Sequence, residues 1–176
     1  MITNDFIFIH IPKTGGSSIE RFFGQDHGLP GTPPAHKNIQ WYLNHKQSNN
    51  RLYKFSFVRN PWDMFVSLYF FKVHSKYRKE ELEGVTFFEY IKQYDHKTQL
   101  SYLTVNGKIM VDFIGRFEKL QEDFYKVCDA LNIPRSDLPH IIKTTHLPYR
   151  EYYNTQARKI IEEIYKEDID YFGYEF

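Results

Sequence analysis

The chain has 176 residues, close to the size of one ordinary domain, and can bury a hydrophobic core without disulfides or a structural metal. Its 23 Lys and Arg residues balance 22 Asp and Glu residues, and this near-zero net charge argues against a nucleic-acid binder that relies on bulk charge. The 18% aromatic content argues against a disordered chain. A single cysteine, Cys128, excludes an intrachain disulfide and a cysteine-based zinc site.

The N-terminal sequence shows no targeting signal. Residues 1–5 contain no basic segment, and the apolar run at residues 6–9 is too short for a signal peptide. No stretch approaches the ~20 apolar residues of a membrane span. We therefore expect a cytoplasmic protein without a membrane or nucleic-acid partner, folded as a single domain over residues 1–176.

The first half of the chain predicts two strand–turn–helix units. Residues 6–9 form a continuous apolar run, typical of a strand buried on both faces, and a helix is predicted from Ser17. A loop rich in Gly and Pro at 24–37 leads to a short helix at 38–45. Residues 53–58 predict a second strand.

Asn60-Pro61 then predicts a helix start, because Asn caps helices and Pro suits the first turn; this helix is expected to run to about Lys76. The recurrence of strand, turn and helix predicts an α/β fold with a parallel sheet.

The second half contains weaker but readable signals. Thr86 is expected to cap a helix that runs through Tyr94. Asn106-Gly107 predicts a hairpin between 103–105 and 109–111. The remaining elements predicted here are a strand at 111–117, a helix at 120–131 and a last helix that starts at 154–155 and ends before Asp168.

Residues 10–18, HIPKTGGSS, lie between the first strand and the first helix. Two glycines allow a tight turn and the close approach of a ligand, and backbone N–H groups at a helix start attract an anion. Lys13 adds a positive charge, and the serines add hydroxyl donors. The segment therefore predicts a phosphate or sulfate site, although it lacks the Gly-Lys-Ser order of a nucleotide-triphosphatase loop.

Arg59 ends the second strand, and Ser67 follows eight residues later on the next helix. Open α/β sheets bind ligands at the carboxyl ends of their strands, and a guanidinium matches a phosphate dianion. Taken alone, this pair is better explained as a helix cap with a surface arginine.

Together the two motifs resemble those of the sulfotransferases that use 3′-phosphoadenosine 5′-phosphosulfate (PAPS), most closely the branch with the carbohydrate O-sulfotransferases. Further similarity to that branch extends over most of the chain, at residues 114–118 (IGRFE), 123–124 and 168–174. The resemblance implies a three-layer, nucleotide-kinase-like (P-loop-type) α/β fold and a sulfuryl acceptor that is a small molecule or a carbohydrate.

The resemblance also assigns site residues. Lys13 and the turn that follows it correspond to the loop that binds the 5′-phosphosulfate; the turn residues are Thr14, Gly15, Gly16, Ser17 and Ser18. Arg59 and Ser67 correspond to the pair that binds the 3′-phosphate. The family often has a second basic residue where this chain has Met64, a departure that affects salt bridging near the helix.

The acceptor hydroxyl requires a base, and histidine is the usual choice near neutral pH. The resemblance points to His36, whereas His10 is expected to be buried and hydrogen-bonded. His140 and His146 remain open alternatives, and Glu118 and Asp63 are weaker ones. Lys13 would stabilise the leaving phosphate. Because a sulfuryl group carries less charge than a phosphoryl group, we expect no metal.

A late basic loop is expected to close over the nucleotide, with Lys143 and Arg150 as the candidate residues. Tyrosines at 149, 152 and 153 either stack on adenine or pack internally. Two alternatives to a sulfotransferase are a phosphoryl-transfer enzyme such as a kinase and a nucleotide-binding module without catalytic activity. The sequence does not identify the acceptor or the oligomeric state.

Overall fold

The structure is a computed structural model that describes residues 1–24, 36–45, 52–74, 82–139 and 146–176. Its strands and helices, in chain order, are β1 (Phe6–Ile9), α1 (Gly16–Phe22), α2 (Ile39–His45), β2 (Tyr53–Val58), α3 (Pro61–Val73), α4 (Phe87–Gln93), α5 (Gln99–Leu103), β3 (Thr104–Val105), β4 (Lys108–Ile109), β5 (Phe113–Arg116), α6 (Leu120–Ala130), α7 (Thr155–Ile164) and α8 (Lys166–Phe172). Short 3₁₀ helices span Phe117–Lys119 and Tyr149–Tyr152.

The chain forms two compact units, each assembled from two stretches of sequence. The first unit comprises Met1–Arg59 and Gln99–Ile142, and the second comprises Asn60–Thr98 and Lys143–Phe176. The expectation of one domain over the whole chain stays a prediction.

A three-stranded parallel sheet organises the first unit, in the order β1-β2-β5. Phe8 of β1 pairs with Phe55 of β2, and Phe55 pairs in turn with Phe113 of β5. All four residues of β1 are buried, as its continuous apolar run predicts. The α/β class with a parallel sheet and flanking helices is therefore confirmed.

Aromatic residues dominate the core of this unit. The buried cluster consists of Met1, Phe6, Phe8, Ile19, Phe55, Phe57, Phe124, Val127, Cys128 and Leu138. Gly115 belongs to the same packing, because a Cβ atom there would lie 2.4 Å from Cε1 of Phe57. Helices α1 and α6 contribute Ile19 and Phe124, so they cover the sheet where it carries its phenylalanines.

The predicted hairpin is present as the antiparallel pair β3 and β4. Asn106 and Gly107 form its turn, and both have positive φ angles, of 49° and 74°. A two-residue turn with this geometry matches the right-handed twist of the strands, which is why Asn-Gly predicts it.

Helices make up the second unit, and side-chain caps fix the starts of three of them: Asn154 caps α7, and Asn60 and Thr86 cap α3 and α4. The side chain of Asn60 accepts hydrogen bonds from the backbone N–H groups of Trp62 and Asp63, with Pro61 in the first turn. Thr86 and Glu89 form a reciprocal capping box at α4. The starts of α3 and α4 are where the sequence predicts them, whereas α3 ends at Val73 rather than near Lys76.

The C-terminal prediction is wrong in one respect: a second helix, α8, includes Asp168. The break between the helices lies at Tyr165, whose side chain is buried and whose carbonyl accepts from the N–H of Ile169. Asp168 lies in the first turn of α8, where the helix dipole favours a carboxylate. Gly173, with φ 65°, ends this helix.

None of the helices in the part of the chain that the structure describes is long and apolar enough to cross a membrane.

Candidate active site

The segment between β1 and α1 forms a tight turn in the first unit. Lys13 and Gly15 both adopt left-handed backbone conformations, with φ angles of 65° and 85°. The buried hydroxyl of Thr14 donates to the carbonyl of Ile11 at 2.9 Å, and the N–H of Ser18 donates to the carbonyl of Gly15 at 3.1 Å. Lys13 thus sits in a strained backbone position that the turn stabilises.

The two glycines make room for the protein's own side chains. A Cβ at Gly15 would lie 2.7 Å from Cδ2 of Leu120, and one at Gly16 would lie 2.1 Å from Cδ2 of His10. Our sequence interpretation, which explained the two glycines by a tight turn and the close approach of a ligand, missed this packing. Ser17, which follows them, is half-buried.

Arg59 projects from the carboxyl end of β2 and contacts the same turn. Its Nη1 donates to the carbonyl oxygen of Lys13 at 3.0 Å, and its guanidinium carbon lies 3.9 Å from the centre of the Phe117 ring. Arg59 is only 7% exposed. The contact with an aromatic face and the hydrogen bond to the turn together fix the guanidinium beside Lys13.

Gln99 holds the backbone of Arg59. Its side-chain oxygen accepts from the N–H of Arg59, and its side-chain nitrogen donates to the carbonyl of Arg59, each at 2.8 Å. No pattern along the chain signals this buried contact, because Gln99 begins α5, a helix too short to show apolar periodicity. The contact between the Arg59 guanidinium and the ring of Phe117 was not predicted from the sequence either.

Two positive charges therefore lie close together at this edge of the sheet. Burial, followed by the neighbouring charge of Arg59, lowers the pKa of Lys13 from 10.5 to about 8. A bound anion would reverse both effects, because it replaces lost hydration and offsets the repulsion between the cations. The geometry is therefore suited to binding a phosphorylated or sulfated ligand.

His36 lies in the same unit, next to His10. Its Nδ1 is 3.1 Å from the carbonyl oxygen of His10, and the two rings meet edge to face at 4.4 Å between centroids. Since a carbonyl only accepts, Nδ1 carries the hydrogen and Nε2 keeps its lone pair. Loss of hydration, followed by the proximity of His10, lowers the pKa of His36 to about 4.

His10 itself is buried, as the sequence predicts, and its ring lies against a buried carboxylate. Its Nδ1 lies 2.9 Å from Oε2 of Glu20, and the two side chains are 7% and 2% exposed. Glu20 is on α1, so this pair joins the end of β1 to the helix that follows the turn.

Some of the other predicted site residues belong to the second unit, and others lie outside the described residues. Ser67 is buried in α3 of the second unit. Arg150, also in that unit, donates to the backbone carbonyl of Phe176 at 2.8 Å. His146 contacts the Phe70 ring. Lys143 and His140 lie outside the described residues.

The tyrosines at 149, 152 and 153, which the sequence offered for adenine stacking or internal packing, all have contacts within the second unit. The Tyr153 hydroxyl donates to the carbonyl of Trp62 at 2.9 Å, and the Tyr152 hydroxyl accepts from the N–H of Leu147. Tyr149 meets the ring of Phe176 at 5.5 Å. Among the described residues, no group of three or more His, Cys, Asp or Glu side chains has a geometry that would hold a metal ion.

Comparison with known proteins relates this chain to a described family and to another protein. A family model described as "Sulfotransferase family" matches residues 2–175. An uncharacterized protein of Archaeoglobus fulgidus is 35% identical to this chain over 85 residues, which cover 46% of this chain and 68% of the relative. The family match covers the turn with Lys13, the paired Arg59 and the His10–His36 contact.

Proposed function

The chain belongs to the sulfotransferase family, and from this premise we propose that it transfers a sulfuryl group from PAPS to an acceptor hydroxyl. The observation that carries the proposal is the fixed pair of Lys13 and Arg59, with the guanidinium 3.0 Å from the Lys13 carbonyl. PAPS has anionic groups at both ends of its ribose, so two adjacent cations match its charge.

The residues of the first unit fit such a donor. Lys13 has its pKa lowered by burial and by Arg59, which means that a negative group beside it would be stabilised. We propose that Lys13 and the turn Thr14–Ser18 bind the phosphosulfate. By resemblance, Arg59 and Ser67 bind the 3′-phosphate, and Lys143 and Arg150 close over the nucleotide.

The proposed chemistry uses two of these side chains directly. PAPS supplies a sulfuryl group whose bond to the phosphate oxygen breaks as a new bond to the acceptor oxygen forms. The Lys13 ammonium stabilises the electron pair that remains on the phosphate oxygen. Nε2 of His36 accepts the proton from the acceptor hydroxyl, since its lone pair is available while Nδ1 donates to the His10 carbonyl.

The finer features of the proposal come from the resemblance. We propose the three-layer, nucleotide-kinase-like version of the α/β fold and favour a carbohydrate over other hydroxyl acceptors. Neither feature affects the role of Lys13.

A donor experiment tests the proposal. Purified protein, ³⁵S-labelled PAPS and an array of oligosaccharide and small-molecule hydroxyl acceptors should give labelled product. In a thermal-shift assay, adenosine 3′,5′-bisphosphate should stabilise the protein more than adenosine 5′-phosphate, since only the former has the 3′-phosphate. Each tenfold difference in affinity between the two nucleotides corresponds to about 1.4 kcal/mol of binding free energy.

Two variants test whether Arg59 is responsible for the preference for the 3′-phosphate. Arg59→Ala should remove the difference between the two nucleotides. Arg135→Ala is the matched control, because Arg135 is exposed and pairs with Asp129 on α6. Equal stabilisation of the wild-type protein by both nucleotides, or a lack of labelled product over the whole array, would contradict the proposal.

A further inference from the structure

The buried pair of Glu20 and His10 has no part in the chemistry described above. A charged or strongly polar pair is expensive to bury, and an apolar pair of similar size is often as stable. The pair nevertheless lies beside the turn that contains Lys13, with Oε2 of Glu20 2.9 Å from Nδ1 of His10. Its location therefore favours a role in the site over a role in stability.

His10 connects this pair to His36 in two ways. Its backbone carbonyl lies 3.1 Å from Nδ1 of His36, and its ring meets the ring of His36 edge to face. The ring of His10 also fills the space above Gly16, where a Cβ would lie 2.3 Å from its Nε2. Glu20 thus fixes a ring that rests on both the turn and His36.

We propose that Glu20 is a positioning residue for His36: through the ring of His10, it orients His36 so that Nδ1 stays protonated and Nε2 faces the acceptor as the base. This inference rests on the proposed function for the identity of the base. The orientation of the ring and its tautomer are properties of the free protein, so they can be measured without any sulfuryl transfer.

The charges around His36 predict how it titrates. His10, at the end of β1, and Lys13, in the turn, both lower its pKa, whereas the carboxylate of Glu20 on α1 raises it. Glu20 also favours the charged form of His10, which lies 2.9 Å from it, so removal of the Glu20 charge should shift the pKa of His36 through both groups. The acid limb of the rate profile should move in the same direction.

The first test is an imidazole ¹⁵N NMR titration of the full chain. In the wild-type protein at neutral pH, His36 should be the Nδ1–H tautomer, and an Nε2–H tautomer would overturn the proposal even if no variant folds. In Glu20→Gln, the pKa of His36 should differ from its wild-type value. Glu122→Gln is the control, because Glu122 is exposed on α6. An unchanged pKa in Glu20→Gln would also overturn the proposal.

The second test is kinetic. A His36→Ala variant should lose about 10²–10⁴-fold in turnover, the usual contribution of a positioned base. Glu20→Leu should lose part of that contribution, at least about tenfold. Glu20→Gln, which keeps a hydrogen-bond acceptor, should retain more activity than Glu20→Leu. Affinity for adenosine 3′,5′-bisphosphate should stay unchanged in both Glu20 variants.

The outcomes separate the two proposals. Wild-type turnover in Glu20→Leu would overturn the positioning role and leave the sulfotransferase proposal intact. Absence of transfer by the wild-type protein, together with the expected tautomer and pKa change, would refute the proposed function while the effect of Glu20 on His36 stands.

Discussion

Arg59 depends on partners that lie far from it in the sequence. Its place at the carboxyl end of a strand was predictable, because strand β2 has a clear pattern of Phe and Val. Its fixation was not, since Gln99 and Phe117 belong to short elements formed 40 or more residues later. Sequence patterns predict the secondary-structure position of a residue, whereas contacts between distant segments determine the conformation of its side chain.

The protonation state of His36 could not be predicted from the sequence either. The sequence favoured it only by resemblance, and no local pattern specified its tautomer. The structure supplies that information through the carbonyl of His10. Its lowered pKa means that the ring is neutral at physiological pH, so the base is available there, although it is a weaker base than an unperturbed histidine.

Lys13 yields a prediction about pH. Because burial and Arg59 lower its pKa to about 8, the free protein keeps the ammonium below that pH and loses it above. kcat/KM, which reports the free enzyme, should therefore fall as the pH rises through about 8. Bound phosphosulfate stabilises the ammonium, so the corresponding limb of kcat should lie at higher pH.

A Lys13→Ala variant tests the same charge directly. Turnover should fall by about 10²–10³-fold, as when one charge-stabilising donor is removed. The matched control is Lys108→Ala, since Lys108 is an exposed residue of β4 in the same unit. Unchanged turnover in Lys13→Ala, or a kcat/KM that stays level from pH 7 to 10, would show that this charge does not act in catalysis.

At the scale of elements, the strongest local signals proved accurate. The apolar run of β1, the Asn60 cap and the Asn106-Gly107 turn each encode their structure within a few residues. Errors arose where tertiary packing decides. The break between α7 and α8 lies at the buried Tyr165, and α5 is held by the contacts that Gln99 makes with Arg59.

The β1–turn–α1 element makes a prediction about Gly16. A Cβ there would lie 2.1 Å from Cδ2 of His10, so the ring must move in Gly16→Ala. We expect this overpacking to cost about 1–3 kcal/mol in the free energy of unfolding, measured with urea. The displaced ring should also change the NMR-measured pKa of His36.

Gly107→Ala serves as the control for Gly16→Ala. Gly107 has a φ of +74° with nothing within 4 Å of an added Cβ, so the variant has backbone strain without a clash. It should lose stability, about 1–2 kcal/mol, but leave the pKa of His36 unchanged. If Gly16→Ala were as stable as the wild-type protein, with His36 unaltered, the ring of His10 would not be tightly seated on the turn.

At the scale of the whole molecule, the composition excluded some classes of protein. The candidate site, however, depends on how distant segments of the chain fold together. The near-neutral charge gave no indication of the ligand, because the proposed anion site depends on two cations that the first unit places close together. The division into two units was not predicted either, since each unit joins segments that are distant in sequence. No linker or shift of composition marks such a boundary.

The class of reaction also yields a prediction for the whole protein. A transferring phosphoryl group carries more negative charge than a sulfuryl group, and enzymes usually neutralise it with Mg²⁺. For sulfuryl transfer, Lys13 and Arg59 supply the required positive charge. Turnover with labelled PAPS should therefore be the same in excess EDTA as in Mg²⁺, and γ-³²P-labelled ATP should give no labelled acceptor. Loss of transfer in EDTA that Mg²⁺ restores, or label transferred from ATP, would favour a phosphoryl-transfer enzyme, because the two cations would then be acting beside a metal ion rather than in place of one.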